Sequence, residues 1–95
     1  MISLVYLTTR SPSTLGDELT LAGYRVFEAL ALSEVLYLQE HENIDLVIID
    51  SSVEEPEEKA RQMPGIRIRL VPGATATDVQ WELSLLFPNG DLSLQ

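Results

Sequence analysis

The chain has 95 residues, 45% of them apolar and 22% charged, with no cysteine and a formal charge of −9. That composition supports one modest core, a single domain over 1–95, and it excludes disulfides, thiolate metal sites and a cysteine nucleophile. Fifteen acidic residues against six basic ones disfavour electrostatic binding to nucleic acid or an anionic membrane.

"ISLVYL" (Ile2–Leu7) is a continuously apolar, β-rich run, the pattern of a strand buried on both faces. It has no basic flank and falls far short of the ~20 residues of a membrane-spanning helix, so a cytoplasmic protein without a signal peptide is expected. "TTRSPSTLGDELTLAGY" reads as loop and then helix. Ser11 or Ser13 can cap it, Pro12 suits its first turn, and Leu15, Leu19 and Ala22 share one face. Gly23 is its natural C-terminal stop, and "YRVFEA" follows as a short second strand.

"LSEVLYLQEHEN" predicts a second helix capped by Ser33, with Leu32, Val35, Leu36 and Gln39 as its inward stripe and Asn43 ending it. "DLVIID" is a third strand, apolar on both faces and therefore central, and it runs into Asp50. "EPEEKARQM" is a brief polar helix with little apolar surface to hold it. "GIRIRLV" alternates strictly: Ile66, Ile68 and Leu70 point one way, Arg67 and Arg69 the other, so one face of this fourth strand meets water or a polar cover. "TATDVQWELSLLF" is the last helix, where Thr77 and Gln80 fit the capping-box spacing. Val79, Leu83 and Leu86 line its inner face with Trp81 or Phe87 beside them, "FPNG" stops it, and 90–95 form a tail.

Strands alternating with helices imply an α/β fold with a parallel sheet, right-handed crossovers and helices on both faces. No enzyme site emerges from the residues. His41 is the only histidine and has no partner at a useful spacing; Asp45 and Asp50 lie at opposite ends of one strand; "VPGAT" lacks the Lys-Ser/Thr of a phosphate loop. The fourth strand is expected at an exposed edge. Its arginines either guard that edge or bond the acidic segment Glu54–Glu58, within the chain or across a dimer. Arg67, Arg69, Trp81 and Leu85 are therefore the candidate protein interface, with a homodimer through the fourth strand or last helix one form it could take.

The segment "LTLAGYRVFEALALSEVLYLQEHENIDLVIID" (Leu19–Asp50) resembles the receiver domain of two-component response regulators: a helix ending in Gly-Tyr, a strand ending in Ala, an Ala/Glu/Leu-rich helix and an Asp-Leu-Val-Ile-x-Asp strand. The resemblance implies a flavodoxin-like, doubly wound sheet of about four strands in order 2-1-3-4, with the receivers' fifth strand missing. Ligands in such sheets sit beyond the carboxyl ends of the strands. It places Asp50 at the phosphoacceptor position, in a crevice with Thr8, Thr9 and Ser51. The receivers' acidic pair for Mg²⁺ is replaced by Thr8 and Thr9, their Ser/Thr after the fourth strand by Val71 or Pro72, and their lysine has no counterpart, since Lys59 lies in the acidic segment. Phosphoryl transfer depends on neutralising cations, and Asp50 is expected to lack any. The expectation is thus a pseudo-receiver: a non-enzymatic interaction module in signalling, with no cofactor and with Asp50 as a strand-end or capping residue. Two other classes remain: a true receiver phosphorylated on Asp50 with Mg²⁺, and a small-molecule or anion binding domain using the same crevice.

Overall fold

Five consecutive buried residues, Ser3–Leu7, form β1 and run between two neighbours in a computed structural model that describes residues 1–10 and 13–88. The elements that follow are α1 (Thr14–Leu21), β2 (Arg25–Ala29), α2 (Leu32–His41), β3 (Leu46–Ile49), α3 (Pro56–Arg61), β4 (Ile66–Arg69) and α4 (Ala76–Leu86). The expected tail at 90–95 lies outside the described residues, as does Pro12. The four strands pair in parallel in the order β2-β1-β3-β4. This is the α/β, flavodoxin-like architecture expected from the sequence, with helices on both faces.

Strand alternation divides the core into two layers. Leu4 and Tyr6 of β1 and Leu46 and Ile48 of β3 face Leu19 of α1 and Ala76, Val79 and Leu83 of α4. Val5, Leu7, Val47 and Ile49 face the opposite way, onto Val35 of α2 and onto Val53 and Met63 at either end of α3. The six-residue α3 fully buries none of its own residues; Val53 and Met63 on either side anchor it, with the half-buried Ala60 packed beside them. On β4 the two faces divide as the alternation predicts, with Ile68 and Leu70 packed on the core, Ile66 exposed at the start of the strand, and the arginines on the opposite face. The polar cover is α3: Arg67 Nη1 donates to the carbonyls of Ala60 (2.9 Å) and Met63 (2.7 Å), and Arg69 Nη1 bonds Glu57 Oε1 at 2.6 Å.

Right-handed crossovers explain which helix lies where. The steps β2–α2–β3 and β3–α3–β4 move the same way along the sheet and share a face, whereas β1–α1–β2 moves the other way and takes the opposite face. A crossover leading past β4 would run beside α2 and α3. Instead α4 packs beside α1, where it covers β1, β3 and β4.

Local signals read from the sequence hold at some helix ends and fail at others. Ser13 caps α1, its Oγ accepting from the Gly16 N–H at 3.2 Å. Gly23 follows α1 at φ +105°, a backbone setting that a Cβ resists. Ser33 does not cap α2: the helix begins at Leu32 after Ala31, and the Glu34 carboxylate reaches back to the Leu30 N–H at 2.9 Å. Leu36 is exposed and Leu38 takes its place against the sheet, because the stripe that meets β1 and β2 is Leu32, Val35 and Leu38, with Gln39 half-buried beside them. The capping box of α4 is Thr75 with Asp78 rather than Thr77 with Gln80. The turn closed by the Ala74 N–H on the Val71 carbonyl (3.1 Å) starts the helix two residues earlier. Leu86 is exposed, so Val79 and Leu83 carry the inner face with Phe87 half-buried beside them.

Candidate functional site

Chain leaves β1 and β3 in opposite directions at their carboxyl ends, which opens a crevice between the two loops. Pairing continues one residue past each strand: the Thr8 N–H donates to the Ala29 carbonyl (3.0 Å) and the Asp50 N–H to the Leu7 carbonyl (2.9 Å). That register sets Thr8 beside Asp50 and brings Tyr6, one layer below on the same face of β1, within reach of it.

Asp50 is buried and is the centre of the site. Its Oδ1 accepts from Tyr6 Oη at 2.7 Å. Its Oδ2 accepts from Ser52 Oγ (2.5 Å), the Ser52 N–H (3.2 Å), Thr8 Oγ1 (3.2 Å) and two nitrogens of Arg10, Nη2 at 2.9 Å and Nε at 3.2 Å. The donors are themselves tied down. Thr8 Oγ1 accepts from the Arg10 N–H at 3.0 Å, Ser52 Oγ accepts from the Thr9 N–H at 3.2 Å, and Ser51 Oγ accepts from Arg10 Nη2 at 3.3 Å. The β1–α1 and β3–α3 loops are thus sewn together through one carboxylate.

The electrostatics follow from those bonds. Burial by itself would raise the Asp50 pKa, but the Ser52 hydroxyl, the Tyr6 hydroxyl and the Arg10 guanidinium more than reverse it and hold the group well below the usual carboxylate range. Tyr6 moves the other way: burial, and then its bond to the ionised Asp50, push its hydroxyl up to about 12. Arg10 is raised by the same carboxylate.

Of the crevice residues expected from the sequence, Thr8 and Asp50 meet directly and Ser51 joins through Arg10. Thr9 is exposed and contributes its backbone to Ser52. The expectation that Asp50 faces no positive charge is corrected, because Arg10 supplies one two residues beyond Thr8. Tyr6, Arg10 and Ser52 were missed. Tyr6 sits in an apolar run and reads as core; Arg10 and Ser52 carried a signal in their places just past two neighbouring strand ends.

The crevice beside this network has a volume of about 460 Å³ and is bordered by Tyr6, Arg10, Ser13, Glu18, Asp50 and Thr75. The N-termini of α1 and α4 reach it already capped by their own Ser13 and Thr75. Among the described residues no three His, Asp or Glu side chains come together to hold a metal ion, and no helix is long and apolar enough to cross a membrane. At the far end of β3, Asp45 Oδ2 accepts from the Ser3 N–H at 2.7 Å. His41 is exposed, stacked on Tyr37 with ring centres 4.0 Å apart.

The candidate interface residues divide. Arg67 and Arg69 turn onto α3, whereas Trp81 (66% exposed) and Leu85 (62%) stand in the open on α4. A groove of about 450 Å³ runs between β4 and this flank of α4, with Ile68, Leu70, Val71, Ala74 and Trp81 as its apolar lining.

Fold and crevice together define a four-stranded flavodoxin-like domain whose strand-end aspartate is held by an arginine, a tyrosine and two hydroxyl side chains. No protein-family model, no curated protein and no solved structure matches the chain.

Proposed function

We propose that the protein is a non-enzymatic, receiver-like protein-interaction module of a signalling or regulatory system, in which Asp50 is a structural lock and not a phosphoacceptor. The observation that carries this reading is the set of donors on Asp50. A nucleophilic carboxylate must present an oxygen to an incoming phosphoryl group and a cation to balance it. Here both oxygens accept bonds from within the chain, and the guanidinium that balances the charge lies across the carboxylate itself. Freeing Oδ2 would strip the Ser52, Thr8 and Arg10 donors at once and part the two loops they join.

What remains for function is surface, and the open β4–α4 edge offers it. Half of the large apolar side chains most exposed among the described residues lie there: Ile66, Val71, Trp81, Leu85 and Leu86. Exposed apolar side chains gathered on one edge support a docking role there.

Incubation with acetyl phosphate and Mg²⁺, read by intact mass, tests the reading. An unchanged mass is the expected outcome. A one-phosphoryl adduct that disappears in Asp50→Asn refutes it.

A further inference from the structure

The hydrogen-bonding direction of β4 decides what its outer edge, unpaired among the described residues, can accept. The Leu70 N–H donates to the Ile49 carbonyl at 2.9 Å. In a parallel ladder, backbone groups turn alternately toward one neighbour and the other. Ile66, Ile68 and Leu70 therefore bond β3, and Arg67 and Arg69 turn their N–H and C=O groups outward. The edge offers two outward residues with Ile68 between them.

The side chains around Ile68 have the same symmetry. Ile66-Arg67-Ile68-Arg69-Leu70 reads alike in both directions: apolar, arginine, isoleucine, arginine, apolar. We infer that this edge pairs with the β4 of a second copy of the chain, antiparallel, about a two-fold axis through Ile68. The inference rests on the interaction-module reading above and names its partner.

Three features agree on that axis. In an antiparallel pair, opposing residues share a face, so Ile66 meets the second copy's Leu70 and the two Ile68 side chains meet each other. Arg67 then lies opposite the second copy's Arg69 as a hydrogen-bonded pair, and the two such pairs use every outward N–H and C=O of these residues. No register shifted to either side pairs both arginines of both copies. The third feature is charge. Opposed arginines would repel, but Arg69 carries its Glu57 carboxylate with it and Arg67 is turned onto the Ala60 and Met63 carbonyls at the end of α3. Both guanidiniums point over the sheet and leave the edge clear, so they do not guard it.

On the other face Trp81 of α4 borders the groove beside Ile68 and Leu70. Trp81 and Leu85, one turn apart, would cover the added strand and meet their symmetry mates. The β2 edge offers no such seat: its residues are half-buried or buried apart from Arg25, which lies 4.7 Å over the Phe27 ring and bonds Glu42 at 2.8 Å.

Light scattering on the eluting protein at about 100 µM, where even a micromolar contact is populated, is expected to give twice the 10.6 kDa chain mass. Arg69→Pro removes an outward N–H that no partner among the described residues uses. It is expected to return the mass to that of one chain while the circular dichroism stays that of the folded protein. The chain has no cysteine, so Ile68→Cys reports directly: opposed Cα atoms at a non-hydrogen-bonded pair lie roughly 4.5 Å apart, within disulfide reach. Mild oxidation is expected to cross-link it at least tenfold faster than Leu36→Cys on α2. A single-chain mass for the unmutated protein overturns the inference and leaves the edge to a different protein. So does a dimer that survives Arg69→Pro, or equal cross-linking at the two cysteines. A monomer leaves the structural role of Asp50 standing, whereas an acetyl phosphate adduct on Asp50 removes that reading whatever the mass.

Discussion

Asp50→Asn separates a locked aspartate from a phosphoacceptor, because the two roles predict opposite costs for a nearly isosteric change. Asparagine keeps one oxygen for the Tyr6 hydroxyl, but its NH₂ replaces the oxygen that Ser52, Thr8 and Arg10 now share. The Thr8 and Ser52 hydroxyls can rotate and accept; the Ser52 N–H at 3.2 Å and the Arg10 guanidinium cannot. A donor stranded in a buried place costs about 1–3 kcal/mol, and hydrogen bonds to an ionised group are worth about 1.5–3 kcal/mol each. Arg10 is largely exposed and recovers water, so its share is discounted. The sum is a loss of about 3 kcal/mol, or a urea midpoint lowered by about 2 M at a slope near 1.5 kcal/mol per molar. An aspartate presented to solvent for phosphorylation would tolerate asparagine within about 0.5 kcal/mol. The pH dependence adds a second readout. Because folding lowers the Asp50 pKa from 3.8, its contribution is complete above that value and is lost as pH falls through the folded-state pKa. The gap between the two proteins should therefore narrow as pH drops below 3.8. A loss under about 1 kcal/mol at neutral pH, or a gap that stays constant in acid, would refute the lock.

Tyr6→Phe removes the only donor described on Oδ1 and should cost about 2 kcal/mol, on the order of 10 °C in Tm for a domain this small. In the unmutated protein one tyrosine should ionise near pH 12 instead of 10, read at 295 nm, and Tyr6→Phe should abolish that step. The raised pKa means that the stability tied to the protonated Tyr6 is intact below pH 10 and lost as pH rises through 12. Thr75→Ala should destabilise by about 1 kcal/mol through loss of the α4 cap, whereas Ser33→Ala, inside the first turn of α2, should leave stability unchanged or raise it by up to about 0.5 kcal/mol, both read from urea unfolding.

Patterns of period two and of continuous apolar character were enough to lay out the sheet. The runs Leu4–Leu7 and Leu46–Ile49 are apolar on both faces, the mark of strands buried on both sides. The arginine–isoleucine alternation gave β4 one apolar and one polar face. Once four strands alternate with helices, the right-handed rule leaves few orders for them, and the order 2-1-3-4 came with the family resemblance. Helix ends were less legible. Ser33 and Thr77 carry capping chemistry, but so do Thr75 and Asp78, and the turn geometry before each helix chose between them. The inward stripe of α2 moved from Leu36 to Leu38 because a small rotation of a short helix changes which leucine meets the sheet.

The lock on Asp50 lay beyond sequence reasoning for a more general reason. Local preferences act over a few residues, whereas Tyr6, Thr8 and Arg10 meet Asp50 across 40 to 44 positions of chain. Their meeting depends on the β1–β3 register, and a slip of one residue would turn Tyr6 to the other face. The sequence by itself therefore determined the elements, the class of fold and the place of the aspartate. Only the packed sheet decided that an arginine closes over it, because pairing of β1 with β3 is what brings two distant loops within hydrogen-bonding distance.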